Sequence, residues 1–227
     1  MKRVLIKFIK IITVYFLFIS SVCAEKLMVF DFTEEELNSL EVRKVRGADA
    51  KTLYSIGNNE NGSYLKAVAE NAASGVGKEI KINLDKTPFI NITWKIEKDL
   101  KGIKENTKKG HDFAARVFVI KKTGATPLSN RAINYVFSSN SNVGDTWPSP
   151  YTKKSIDSVL ASTKSNLNEW VTVRANVKED FKKFHDLDVE ELSGIAIMAD
   201  TDNSKLTAVS YYPVSYTHLT LPTNREV

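Results

Sequence analysis

Residues 194–212 read GIAIMADTDNSKLTAVSYY, which is two runs of apolar, β-branched and aromatic residues around a polar centre. Asp and Asn are common in turns because their short side chains bond to nearby backbone N–H groups. Each flanking run has the length and composition of a β-strand. The stretch therefore predicts a β-hairpin with strands at 194–200 and 207–212.

Alternation of apolar and polar residues predicts further strands. In 89–97, Ile90, Ile92, Trp94 and Ile96 share one face and polar side chains take the other, as in a half-buried antiparallel strand. The other predicted strands cover residues 26–32, 63–69, 79–84, 114–121, 133–138 and 170–175. No β-α-β alternation is visible, so we expect an all-β fold, a β-sandwich or jelly roll.

One or two short helices accompany these strands. Asn176 is expected to cap a helix, with Glu179 reaching back to the capping residue. A second helix is expected either at 34–40 or within 154–163. The segment 74–79, SGVGKE, has a faint likeness to a phosphate-binding loop, but it lacks the first glycine and the Ser or Thr after lysine. We expect it to form a turn between two strands.

The N-terminus has the layout of a secretory signal. Lys2, Arg3, Lys7 and Lys10 precede a short apolar run, and small residues lead up to Ala24. This pattern predicts a signal peptide at 1–24 with cleavage after Ala24, with an uncleaved anchor as the alternative. The protein is accordingly expected to be periplasmic or secreted, with no stable membrane insertion after cleavage.

The C-terminal residues 214–227, VSYTHLTLPTNREV, are similar to a translated sequencing-adapter DNA. We interpret them as a non-native tail, with a genuine polar tail as the alternative. The expected organisation is a signal peptide at 1–24, one β-sandwich domain at 25–213 and the tail at 214–227.

Net charge and cysteine content limit the classes of function and the sources of stability that the sequence supports. The formal net charge is +5, and the leader holds four cations and no acidic residue, so residues 25–227 carry +1. A charge this small gives no case for nucleic acid. The single cysteine also lies in the leader, so the domain has no disulfide and must be stabilised by its core.

Several segments in a fixed order carry a family resemblance. They are residues 88–96 with Trp94, HDFAARVFV at 111–119, AINYVF at 132–137, WPSPY at 147–151, Trp170 with NVKEDF at 176–181, and the hairpin 195–212. Together they resemble a bacterial secreted family catalogued as domain of unknown function 3047. The resemblance implies a β-sandwich similar to carbohydrate-binding and lectin-like jelly rolls, and it implies no activity.

Asp112 and Arg116 lie four residues apart on an extended segment and so on the same face, which Arg116 shares with Phe118 and Ile120. A charged residue among apolar neighbours needs a partner, and Asp112 is a candidate. Functionally, the arginine would grip a ligand carboxylate or sugar hydroxyls. Structurally, it would form an ion pair that fixes strand register.

Asp200, Asp202 and Asn203 cluster at the predicted turn, where their oxygens are suited to calcium. A calcium loop usually offers more carboxylates at regular spacing and a glycine, so ordinary turn chemistry is the favoured interpretation. We therefore predict no cofactor, with calcium as the alternative.

Tryptophans are natural candidates for stacking on the apolar C–H faces of sugar rings. Trp94 and Trp170 lie on predicted strands and are expected in the core. Trp147, next to Tyr151 in the polar segment 140–151, is expected at a binding surface. The predicted ligand-binding set is thus Asp112, Arg116, Trp147 and Tyr151, and no catalytic residue is assigned.

The leading hypothesis is an exported β-sandwich protein that binds a saccharide or another cell-envelope ligand. The alternatives are a carbohydrate-active enzyme of the hydrolase or lyase type on the same fold, and an envelope scaffold protein. The chain contains no serine-hydrolase elbow and no zinc-protease motif, so the interpretation leans away from an enzyme.

Overall fold

The computed structural model describes residues 27–60, 62–126, 129–213 and 218–220. The helices are α1 (Glu34–Ser39), α2 (Thr163–Asn166) and α3 (Val177–His185), with a 3₁₀ turn at Lys108–Gly110. The strands are β1 (Leu27–Met28), β2 (Glu41–Lys44), β3 (Leu53–Asn59), β4 (Gly62–Glu70), β5 (Ala73–Asn83), β6 (Phe89–Lys98), β7 (Ala115–Lys121), β8 (Arg131–Ser138), β9 (Thr146–Ser149), β10 (Thr152–Ser162), β11 (Val171–Asn176), β12 (Glu191–Asp200), β13 (Thr207–Pro213) and β14 (His218–Thr220).

These strands form two seven-stranded sheets. Sheet 1 has the order β1-β14-β6-β13-β4-β3, and β11 pairs with β6. Sheet 2 has the order β2-β5-β12-β7-β8-β10-β9. Nearly all of the pairings are antiparallel, and β8 with β10 is parallel. The all-β sandwich predicted from the sequence is confirmed. The predicted hairpin at 194–212 is wrong, because β12 pairs with β5 and β7 in sheet 2 whereas β13 pairs with β4 and β6 in sheet 1, so the turn between them joins the two sheets.

The inner faces of the two sheets enclose the hydrophobic core. Its members include the alternating apolar residues of β6 and their counterparts in sheet 2: Ile90, Ile92, Trp94, Ile96, Val117, Val119, Ile133, Tyr135, Phe137, Ile195 and Ile197. Strands place alternate side chains on opposite faces, so this inner set leaves the intervening residues of sheet 2 on its outer face. Those intervening residues form the site described below.

The longest helix, α3, closes one side of the core. Its cap is as predicted, since the Asn176 side chain accepts a hydrogen bond from the backbone N–H of Glu179 at 3.2 Å. Phe181 is fully buried, and the core residue Tyr135 donates its hydroxyl hydrogen bond to Asp180 at 2.7 Å. The helix is therefore tied to sheet 2 by both packing and a hydrogen bond.

Some local predictions were wrong. Residues 154–162 continue strand β10, so the second helix is α1, whose N-cap is Thr33. Trp147 lies on the short strand β9, because the segment 140–151 is not wholly a loop. Trp170 is 43% exposed just before β11, because it lies on the outer face of sheet 1 together with Thr172 and Arg174.

The predicted domain boundaries remain predictions. The leader 1–24 lies outside the described residues. Of the tail 214–227, only His218–Thr220 is described, as a strand that pairs with β6 and β1. Among the helices in the described part of the chain, none is both long and apolar enough to cross a bilayer.

Candidate functional site

The outer face of sheet 2 carries a row of side chains that crosses every strand of the sheet. From β2 to β9 the row consists of Glu41, Gly77, Ala196, Phe118, Asn134, Asp157 and Trp147. Adjacent strands lie about 4.8 Å apart, so the row is about 29 Å long. The half at the β2 end is open and has small residues on its floor. The half at the β9 end is polar and covered by other side chains.

Arg116 is the centre of the covered half. Its Nη2 forms an ion pair with the Oδ2 of Asp200, and both residues are at least 97% buried. The guanidinium carbon lies 5.0 Å from the centre of the Phe113 ring and 5.5 Å from that of Phe118. Burial lowers the pKa of Arg116, and the carboxylates of Asp157 and Asp112 oppose that shift. The structure pairs the arginine with Asp200 rather than with Asp112.

Asp112 holds the turn that connects β12 to β13. Its Oδ1 accepts hydrogen bonds from the backbone N–H and the side-chain amide of Asn203 at 3.2 and 2.8 Å, and its Oδ2 accepts from the backbone N–H of Ser204. Asp112 is fully buried. Three donors converge on this one buried carboxylate, and they fix the turn.

A second buried chain of hydrogen bonds lies on β8 and β10. The Nε2 of His111 is 2.8 Å from the Oδ2 of Asp157, and Asn134 donates its Nδ2 to the Oδ1 of Asp157 at 2.7 Å. All three residues are at least 95% buried. The sequence did not indicate this chain, because Asp157 is 46 residues from His111.

Tyr151 and Trp147 lie over the covered half. The Tyr151 hydroxyl donates to the Oδ1 of Asn203 at 2.5 Å, and its ring meets that of His111 edge-on at 5.5 Å. Trp147 stacks on Phe113 at 6.5 Å. Tyr151 is 55% exposed and Trp147 is half-buried, so both offer ring surface to solvent.

Several buried polar atoms on this face have no hydrogen-bond partner among the described residues. They are the Nε of Arg116, the Oδ1 of Asn134 and the Nε1 of Trp147, with the Oδ1 of Asn130 at the neighbouring edge. Unpaired polar atoms are rare in protein interiors, because each one costs about 1–3 kcal/mol. Three of these atoms, on Arg116, Asn134 and Trp147, belong to the covered half of the row.

The open half of the row forms a groove of about 220 Å³. Its floor is made of Gly75, Gly77, Gly194 and Ala196, and its sides include Glu41, Arg43, Glu79, Lys122, Ile120 and Asn130. Strand β5 runs straight through the segment that we expected to be a turn, so that prediction was wrong. The small side chains of these residues leave a groove where larger side chains would form a ridge on the sheet.

Gly77 is required by close packing as well as by the groove. A Cβ at this position would lie 2.6 Å from the Cβ of Ala196 and 2.7 Å from the carbonyl oxygen of Ile195. Such contacts are well inside van der Waals distance, so the two strands could not keep their register. Glycine at position 77 therefore keeps the floor of the groove shallow and also allows β5 and β12 to pair.

An acidic trio lies at the end of the covered half. Asp112, Asp200 and Asp202 each offer a carboxylate oxygen, and these oxygens all lie within 4.8 Å of one another. Arg116 and the amides of Asn203 and Ser204 already supply donors to Asp200 and Asp112. Asp202 is the member with an unbalanced charge, because burial and then repulsion by Asp112 raise its pKa.

We expect Asp202→Asn to raise the melting temperature at pH 7. A carboxyl whose pKa is raised on folding favours the folded state below its unfolded pKa, near 3.8. That contribution is lost as pH rises through the folded value. An amide at this position does not ionise, so it avoids this loss of stability. The gain in melting temperature over the wild type should therefore vanish below about pH 3.5. Thermal melts of both proteins from pH 3 to 8 measure it, and an equal shift at every pH would contradict the titration argument.

Calcium provides a separate prediction. Asp112 and Asp200 already accept hydrogen bonds from donors within the protein. We therefore expect the melting temperature to be the same in millimolar calcium and in chelator. A calcium-dependent rise that Asp202→Asn removes would instead establish the trio, with Asn203, as a metal site.

The structure thus brings together the four residues of the predicted ligand-binding set and the three candidate calcium residues. Asp112, Arg116, Trp147 and Tyr151 lie at one end of sheet 2, beside the turn that holds Asp200, Asp202 and Asn203. Their role in ligand binding stays a prediction. The glycine floor and the His111–Asp157–Asn134 chain were missed. For that chain, the one available indication was the alternation on residues 133–137, which placed Asn134 on the opposite face of the strand from Tyr135.

The fold and this face define a β-sandwich protein with a groove across one sheet and a buried polar cluster beside it. The chain belongs to the family described as Protein of unknown function (DUF3047), whose model matches residues 38–214. Comparison with curated proteins finds no match.

Solved structures similar to this chain are glycan-cleaving domains. The xyloglucanase domain of NopAA from Sinorhizobium fredii, in complex with cellobiose, has a TM-score of 0.43 and 10% identity, covering 79% of this chain and 92% of that chain. A Cel12A cellulase derived from Rhodothermus marinus has a TM-score of 0.41 and 10% identity, covering 86% and 100%. Trichoderma harzianum endoglucanase 3, of family GH12, has a TM-score of 0.42 and 7% identity, covering 88% and 98%.

Proposed function

We propose that this protein binds a saccharide, or a related ligand of the cell envelope, along the groove of sheet 2. One observation carries the proposal: a groove floored by glycine and alanine leads into a face that concentrates unpaired buried polar atoms. The proposal includes export to the periplasm or beyond, which rests on the predicted leader.

The groove suits the two surfaces of a sugar ring. The apolar C–H face of a ring can lie against the floor and the side chains of Ile120 and Phe118. The ring hydroxyls can then reach the exposed charged groups of Glu41 and Arg43 at the side of the groove. An apolar surface with a few placed polar groups is typical of ligand sites.

The predicted residues take two different roles in this proposal. Trp147 and Tyr151 offer exposed ring surface at the far end of the row, where a long ligand would reach them. Asp112 and Arg116 are 0% and 3% exposed, so they act through the turn and strand that they hold. The ligand contacts of the proposal are therefore the aromatic pair and the groove.

Hydrolysis is the competing function, since Glu41 and Glu79 both line the groove. A glycosidase usually needs one carboxyl that is protonated near neutral pH. Here the Lys122 side chain hydrogen bonds to Glu79 and lowers its pKa, and Glu41 pairs with Arg43 at 2.8 Å. Glu79 is therefore unsuited to act as the acid, and both carboxylates are held by cations, which favours binding over hydrolysis.

A glycan array followed by titration calorimetry on its best hit tests the proposal. Ala196→Leu fills the floor of the groove and should weaken that binding at least tenfold. Ala50→Leu makes the same change at an exposed site outside the groove and should leave it unaltered. Melting curves of both variants show that they are folded.

Three results would contradict binding in the groove. Equal affinity of Ala196→Leu and wild type would place the ligand elsewhere. Release of reducing ends from the array hit would favour the enzyme. A blank array together with a co-purifying envelope protein would favour a scaffold role.

A further inference from the structure

The outer face of sheet 1 carries a band of rings and lysines that the groove does not use. The register sets Lys66 of β4 beside Tyr211 of β13, and Tyr211 beside Lys95 of β6. Trp170 continues the band past Lys95, and Tyr64 flanks Tyr211 on the other side. We call these five residues the aromatic–lysine band.

The lysines of the band are held by ring faces. The Nζ of Lys95 lies 4.5 Å from the centre of the Tyr211 ring and 5.4 Å from that of Trp170, and the Nζ of Lys66 lies 5.6 Å from Tyr211. Within the part of the chain that the structure describes, neither lysine forms an ion pair. Ring faces attract cations, but they do not neutralise them.

The rings themselves are fixed in place. Tyr64 and Tyr211 meet edge-on at 5.6 Å, and Trp170 and Tyr211 at 6.4 Å. The Tyr211 hydroxyl donates to a Glu97 carboxylate oxygen, which orients the ring across the strands. Tyr64 lies against Gly57, where a Cβ would be 2.4 Å from the Tyr64 ring. The band is therefore preorganised before any ligand arrives.

Exposure leaves part of this surface available. Trp170 is 43% exposed, and Leu53, at the β3 edge of the same face, is 72% exposed. The exposed ring of Trp170 therefore offers a stacking surface at one end of the band. The two lysines stand on either side of β13, so their Cα atoms are about 10 Å apart.

We propose that this band is a second binding surface, and that its ligand is an acidic polysaccharide. The C–H faces of sugar rings can pack on Trp170 and Tyr64, and the carboxylates can pair with Lys66 and Lys95. Net charge separates this ligand from nucleic acid, because residues 25–227 carry only +1 and lack the broad basic field of a nucleic-acid protein. The proposal is independent of the groove in sheet 2.

Affinity electrophoresis through gels that contain polygalacturonate tests the band. The wild-type protein should be retarded by polygalacturonate, and fully methyl-esterified polymer, which has the same backbone without the charge, should retard it at least fivefold less. Lys95→Met keeps the aliphatic stem on the rings and removes the charge, and should weaken binding at least fivefold. Trp170→Ala should weaken it at least tenfold.

Lys183→Met is the matched control, because the Nζ of Lys183 also lies 5.0 Å from a ring, that of Phe184, but on helix α3. It should bind as the wild type does. Ala196→Leu should also bind polygalacturonate normally, which separates this surface from the groove. Melting curves confirm that the variants fold.

Equal retardation by the two polymers would overturn the proposal, as would equal effects of Lys95→Met and Lys183→Met. Tighter binding of a thymidine oligonucleotide than of polygalacturonate would assign the band to nucleic acid instead.

Discussion

Arg116→Met is expected to lower the free energy of unfolding by about 3–5 kcal/mol, because it leaves the buried carboxylate of Asp200 without its cation. Asp200 is 2% exposed and keeps one other hydrogen bond, from the backbone N–H of Phe113 at 3.1 Å. For a domain of this size the loss corresponds to about 6–20 °C in melting temperature. Urea or thermal denaturation at pH 7 measures it.

A double variant separates the ion pair from packing. Arg116→Met with Asp200→Asn removes both charges, and it should recover a large part of the stability that the single variant loses. Lys122→Gln breaks the exposed pair with Glu79 and serves as the control, with an expected change below about 1 kcal/mol. If the single and double variants were equally unstable, packing of the arginine stem would be the cause.

Asp112→Ala is expected to lower the free energy of unfolding by about 2–3 kcal/mol. It removes an acceptor for the backbone N–H groups of Asn203 and Ser204 and for the Asn203 amide. Hydrogen bonds to a charged group contribute about 1.5–3 kcal/mol each, and half-buried donors recover part of this through water. Since Asn203 also accepts from Tyr151, the change should loosen the exposed aromatic surface as well.

Denaturation together with the fluorescence of Trp147 measures both effects. Asp112→Asn should be milder, because its amide oxygen still accepts from Asn203. Asp145→Ala is the control: it removes an exposed carboxylate that accepts one backbone N–H, that of Asn142 at 2.8 Å. Its expected cost is about 1 kcal/mol or less. Equal costs at 112 and 145 would show that burial adds nothing at Asp112.

Alternation was enough to predict most strands, because each sheet has one buried face. Alternation placed four residues on the inner face of β6, and all four are fully buried: Ile90, Ile92, Trp94 and Ile96. The same rule left Arg116, Phe118 and Ile120 on one face of β7, as the structure has them. Trp170 was placed in the core wrongly, although alternation continues through it: Val171 pairs with the buried Trp94, so Trp170 lies on the outer face with Thr172 and Arg174.

The glycine segment shows the opposite outcome. Gly75 and Gly77 look like turn residues in sequence, since glycine weakens an isolated strand. In the structure both lie within β5, between β2 and β12, where the neighbouring backbone and side chains come too close for a Cβ at Gly77. Only the packing of a distant strand explains them.

The sequence by itself determined most of the strands, including those at 194–200 and 207–212, and the capped helix, since these depend on local periodicity and turn chemistry. It did not determine that these two strands belong to different sheets, so the hairpin prediction was wrong. It also brought Asp112 and Arg116 to attention as charges that need partners. Only the tertiary structure decided which partners they have. Asp200 contacts Arg116, 84 residues away, because β12 and β7 are antiparallel neighbours, and Asp157 contacts His111, 46 residues away, because β7, which follows His111, and β10 both pair with β8. Pairing across strands follows from sheet order, which no local pattern encodes.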